Sequence, residues 1–182
     1  QLVNQSSAQT SGFVVFPGAT LGALFTPFGG RIMDHFGAKK PIIGGSLVIA
    51  LSLCTFLLLA EDLGNLLIGV LYFIFTLGIG FSFGNLMTNG LSQLNKAQQA
   101  DGNALIMTFQ QFAGATGTSI IAAIISKSQS DQTLSVAQST IAGARVGFIV
   151  LLLLFAIELL LLGSLFFMKK ETKIDFVQEK QK

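Results

Sequence analysis

The chain has 182 residues, of which 51% are hydrophobic and only 11% charged, with a net charge of +2. Soluble domains carry roughly 25% charged residues, so hydrating the surface of a compact soluble fold with so few is difficult, and a mean hydropathy of +0.69 points to an integral membrane protein. Cys54 is the only cysteine, which excludes an intrachain disulfide and a cysteine-based metal site.

A hydrocarbon core of about 30 Å takes roughly 20 apolar residues in a helix. Five stretches reach that length: residues 12–30, 41–60, 65–91, 102–126 and 146–168. The first contains "GATLGA", where Gly18 and Gly22 lie four apart and form a helix contact face. It ends in "GGRIMDHFGAKK", residues 29–40, which gathers an arginine, an aspartate, the only histidine and two lysines after thirty residues without a charge. The second segment opens with Pro41, suited to a first helical turn where no N–H is needed. It is followed by "EDLGN", a tight turn carrying only acids.

The third segment holds Ser82, Asn85, Asn89 and Gln93, spaced by three, four and four residues and so aligned on one helix face that Gly78 extends. The fourth carries Asn103, Gln110, Gln111, Gly114, Gly117 and Thr118. Polar side chains inside a membrane face the bundle or a wet cavity, and amides also hydrogen-bond between helices. Ser82, Asn85, Asn89, Gln110, Gln111 and Thr118 are therefore candidate pathway-lining residues, with interhelical glue as the alternative; the glycines read as packing surfaces. A long polar link, 127–144, leads to "LLLLFAIELLLLGSLFF", which does not alternate in polarity and so is no barrel strand. Glu158 lies one position from the centre of this last segment. A charge at that depth is costly unless water or a partner reaches it, which makes Glu158 a candidate proton-coupling acid, with a neutral packed glutamate as the alternative.

Orientation follows from the cations. Arg31, Lys39, Lys40, Lys96, Lys169, Lys170, Lys173, Lys180 and Lys182 fall on one side, and Lys127 and Arg145 on the other. The side with nine is cytoplasmic. The expected organisation is a five-helix membrane domain over 1–168 and a cytoplasmic tail over 169–182, in a multi-pass protein of the plasma membrane. An outside N-terminus without a signal-type start fits a chain from which earlier spans are missing.

The positive-inside bias explains the basic residues of the dodecamer but not its aspartate or glycines. Gly30, Arg31, Asp34, Gly37, Lys39 and Lys40 resemble the signature link between the second and third helices of each half in the major facilitator superfamily. With "FPGATLGALFTPF" before it and "ADGNALIMTFQQFAGATGTSI" after it, nearly the whole chain resembles the second half of that family's fourteen-helix drug:proton antiporters. The resemblance implies an all-α membrane fold, the last five helices of fourteen, and proton-coupled multidrug export. It implies that the dodecamer acts as a gate, with Asp34 accepting hydrogen bonds from a helix N-terminus and the cations pairing with the other half. The partners implied are the bilayer, the missing N-terminal half, a drug-like substrate and the proton; no cofactor, metal or nucleic acid is implied. The alternative is a non-transporting assembly subunit or an inert truncated product. An enzyme is disfavoured: "GFSFG", residues 80–84, fits a serine-nucleophile pattern but lies inside an apolar helix, and His35 is in the cytoplasmic link.

Overall fold

The computed structural model describes residues 2–130 and 133–179, with side chains described up to residue 166 in the last helix. Five helices follow in order: α1 Ala8–Phe36, α2 Lys39–Leu58, α3 Asn65–Leu91, α4 Gln99–Gln129 and α5 Val136–Glu179. The fold is all-helical, without strands among the described residues. α3 packs between α1 and α2, α4 pairs with α5, and α5 leans on α2.

The ends of the helices depart from the hydrophobic stretches, for local reasons. α1 starts at Ala8 because the Ser7 hydroxyl accepts from the Thr10 N–H at 3.1 Å, a cap that hydropathy does not register. It runs on to Phe36, so the supposed link 29–40 is helical except at Gly37 and Ala38. Arginine, methionine and aspartate do not break a helix; they only end its apolar run. The break is Gly37, whose φ of +78° suits glycine and whose N–H donates to the Met33 carbonyl at 2.8 Å. α5 starts at Val136 rather than 146. Ser135 and Gln138 form a reciprocal capping box, the Gln138 N–H donating to Ser135 Oγ and the Ser135 N–H to Gln138 Oε1. The same helix continues to Glu179, past the expected boundary at 168; residues 180–182, with Lys180 and Lys182, lie outside the described residues.

α1, α2, α3 and α5 over Val136–Phe166 are long and apolar enough to cross a membrane. The fourth expected span, 102–126, is a helix, but its amides, glycines and hydroxyls dilute its hydropathy, so composition alone does not carry α4 across.

Glycines bring the first three helices close. A methyl group on Gly22 would come within 2.6 Å of the Thr76 side chain, and one on Gly18 within 2.9 Å of Tyr72, so α1 meets α3 at the expected Gly18–Gly22 face. Gly45 and Gly78 do the same for α2 and α3: a methyl on either would reach the other's carbonyl oxygen at 2.7–2.8 Å. Hydroxyls then bond across the contacts. Ser46 Oγ and Ser82 Oγ are 2.9 Å apart, Ser52 donates to the Leu71 carbonyl at 2.9 Å, and Thr76 Oγ1 lies 2.8 Å from the Gly18 carbonyl. In hydrocarbon, where apolar faces gain little by meeting, close backbone approach and such bonds supply the association.

Candidate functional site

The residues expected to form a gate gather at one end of α1 and α2. Gly30 and Gly37 have open space around them, and Arg31, Asp34, Lys39 and Lys40 are exposed or only partly covered. The Arg31 guanidinium lies 5.4 Å from the Phe28 ring centre, and the Lys40 ammonium 4.5 Å from that of Phe36. Both cations are thus held against aromatic faces at the helix ends. Among the described residues Asp34 accepts no hydrogen bond from α2 or any other helix. The short Gly37–Ala38 break keeps α1 and α2 adjacent, and Asp34, one turn before it, is available to something outside this bundle.

The polar row on α3 separates into two packing contacts. Ser82 is buried against α2 through Ser46, and Asn85 is buried towards α1, donating to the Phe81 carbonyl at 2.7 Å and crowding Gly29. Ser82 thus hydrogen-bonds between helices, whereas the hydrogen bond of Asn85 stays within α3 and only its packing reaches α1. Asn89 lies near the end of α3, where polarity is ordinary.

On α4 the situation is reversed. None of its residues is buried, and Gln110, Gln111 and Thr118 are exposed. Gly114 and Gly117, read from sequence as packing positions, face open space among the described residues: a methyl group on either would meet nothing within 4 Å. No neighbouring helix among the described residues comes close enough to use them.

Gln110 and Glu158 come together in one groove. Its volume is about 470 Å³, and it lies between Ile49 and Leu53 of α2, Phe75, Ser82 and Phe83 of α3, Gln110 of α4, and Phe155 and Glu158 of α5. Glu158 is half-buried, and among the described residues its carboxyl group has neither a hydrogen bond nor a cation. Sequence reading missed the groove's aromatic wall and the serines Ser46 and Ser52. An apolar helix in lipid shows no periodic difference between its protein-facing and lipid-facing sides.

At the opposite end from the α1–α2 break, Arg145 Nη1 pairs with Glu61 Oε1 at 2.9 Å, tying α5 to the turn between α2 and α3. Asn4 Nδ2 donates to the Leu63 carbonyl at 2.8 Å and holds the N-terminal turn to the start of α3.

These features define a multi-helix integral membrane scaffold, tightly joined through α1–α3 and open along α4. Residues 2–118 match the Major Facilitator Superfamily, and the chain belongs to that family. It is 36% identical over 125 residues to a lincomycin resistance protein, LmrB, of Listeria innocua, covering 68% of this chain and 26% of that protein. To the LmrB of Bacillus subtilis it is 31% identical over 180 residues, 93% of this chain and 36% of that protein. It is also 28% identical over 151 residues to YcnB of Bacillus subtilis, described as an uncharacterized MFS-type transporter, covering 82% of this chain and 32% of that one. The chain thus spans roughly a quarter to a third of the curated relatives it matches. No solved structure matches it.

Proposed function

We propose that this chain forms part of a proton-driven exporter of drug-like small molecules in the plasma membrane, with its C-terminus in the cytoplasm. It works as a transporter rather than an enzyme. The observation that carries the reading is α4: a 31-residue helix with no buried residue, presenting Asn103, Gln110, Gln111 and Thr118. Amides and hydroxyls at membrane depth are costly against lipid, and they belong beside a wet path or a partner. Such a path between two halves is how alternating-access transporters work. The names of the LmrB relatives make lincomycin the first substrate to try.

Within this reading the gate is Gly30, Arg31, Asp34, Gly37, Lys39 and Lys40. Asp34, beside the Gly37 break and without a partner among the described residues, supports a contact made and released with the other half. Glu158, half-buried without a partner among the described residues, is the candidate proton-coupling acid. The test is efflux from a drug-sensitive host expressing the native gene. Asp34→Asn keeps the side-chain shape and removes the charge; normal insertion with at least tenfold slower efflux is expected. Glu158→Gln is expected to abolish proton-driven efflux. Absence of efflux from the unaltered gene, across lincosamides and hydrophobic cations alike, would reject the transport reading.

A further inference from the structure

We infer that α4 and α5 form one unit that rocks on the α1–α3 block about the stacked rings of Phe56 and Phe148, so that an inner groove closes as an outer one opens. Within α1–α3 the contacts run the length of the helices. Gly18, Gly22 and Gly29 of α1 receive Tyr72, Thr76 and Asn85 of α3 in turn, and Ser46 and Ser52 of α2 bond to Ser82 and to the Leu71 carbonyl. Gly45 and Gly78 bring backbone against backbone, which leaves nothing free to swing aside. α4 and α5 are joined at their outer ends. Gln129 donates to Thr140 at 2.8 Å, Ser128 donates to the Ser139 carbonyl at 2.7 Å, Gly143 abuts Ile125 and Ser128, and Gly147 abuts Ile121. These contacts step along an antiparallel pair at one register.

Between the two units the seam is thin. Among the described residues α1 packs against neither α4 nor α5, and the join runs chiefly through α2 on α5. There the Phe56 and Phe148 rings stack with centres 5.4 Å apart and planes 11° from parallel, and Phe56 is buried. The Arg145–Glu61 pair crosses the same seam, but it is exposed and so holds weakly. On either side of the stack the units part. Outward lies a groove of about 540 Å³, with Ala60 and Leu63 on one wall and Ile125, Thr140 and Ala144 on the other. Inward lies the groove of about 470 Å³, with Leu53 and Phe75 facing Leu151 and Phe155. On α2 the order is Leu53, Phe56, Ala60, and on α5 it is Ala144, Phe148, Leu151, so the stack sits between the two voids. One contact flanked by two voids is the geometry of a seesaw. Tilting keeps the rings together, an arrangement aromatic pairs favour, and fills one groove at the expense of the other. Packed helices move in this way between discrete arrangements rather than by continuous deformation. The motion lies inside this bundle and is measured by distances, whether or not anything is exported.

The test is double electron–electron resonance on spin-labelled cysteine pairs, in Cys54→Ser protein purified from cells expressing the native gene. Gly44→Cys with Leu160→Cys spans the seam at its inner end, and Leu58→Cys with Val136→Cys spans it at the outer end; all four positions are exposed. Leu24→Cys with Val70→Cys stays within the α1–α3 block, and Ile120→Cys with Leu153→Cys within α4–α5. Distance distributions across the seam should be at least twice as wide as those within the units. Ala144→Phe, which fills the outer groove, should shorten the inner distance and lengthen the outer one. Leu151→Trp, which fills the inner groove, should do the reverse. Distributions across the seam as narrow as those within the units overturn the inference, and so do filled variants that leave both ends unmoved or move them in the same direction. If a filled variant does not accumulate, the widths in the Cys54→Ser parent decide alone.

Discussion

Gly45→Ala is expected to loosen the contact between α2 and α3, while the same change one residue earlier is expected to be harmless. A methyl group on Gly45 would stand 2.6 Å from the Ser82 nitrogen and 2.7 Å from the Gly78 carbonyl oxygen, whereas ordinary contact begins near 3.4 Å. The obstacle is backbone on a rigid helix, so no side chain can swing aside, and the two helices must part by roughly 0.8 Å, on the scale at which overpacking costs about 1–3 kcal/mol. That movement also stretches the neighbouring Ser46–Ser82 bond, now 2.9 Å. Interhelical bonds in membranes are worth about 0.6 kcal/mol. Together the loss is about 1.5–3.5 kcal/mol, or a fall of roughly 3–14 °C in melting temperature for a domain of this size. Gly44 is exposed and a methyl there meets nothing within 4 Å, so Gly44→Ala keeps the composition change without the clash. The assay is heating in detergent followed by size-exclusion chromatography of a fluorescent fusion. Gly45→Ala melting together with Gly44→Ala, or above it, would refute the packing argument.

Other expectations concern topology and the outer end of the bundle. In a Cys54→Ser background, a cysteine placed at Ser130 should react with an impermeant thiol reagent added outside; labelling from the cytoplasmic side alone would invert the orientation. The Arg145–Glu61 pair is exposed on both sides, with side chains 43% and 64% accessible, so Glu61→Ala should cost under about 1 kcal/mol and lose even that in high salt. A larger, salt-independent loss would mean that this contact is buried in the working protein. Gly37→Ala should destabilise the bundle by about 1 kcal/mol or more, because its φ of +78° disfavours a side chain. A melting temperature unchanged from the parent would show that the α1–α2 break relaxes freely.

Composition by itself determined the solvent of this protein. In lipid only helices and closed barrels satisfy every backbone group, and the long apolar runs do not alternate in polarity as barrel strands do, so the all-α fold was legible before any geometry. The charged cluster at the α1–α2 break was legible too, because charge in an otherwise uncharged stretch stands out, and so in principle was the Ser135–Gln138 capping box. The tertiary structure decided what each polar residue touches. Ser82 and Asn85 share one face of α3 by spacing, yet one hydrogen-bonds to α2 and the other packs against α1. Gly22 and Gly117 are equally small, but among the described residues only Gly22 receives a neighbour. Gln110 and Glu158 stand far apart in the chain and meet only through the register of α4 on α5. The physical reason is that lipid and protein interior are alike in polarity. Hydrophobic periodicity can tell water from core, but it cannot tell which apolar side of a membrane helix meets a partner. That choice is made by shape, where backbones fit within methyl distance, and shape is a property of helices already packed.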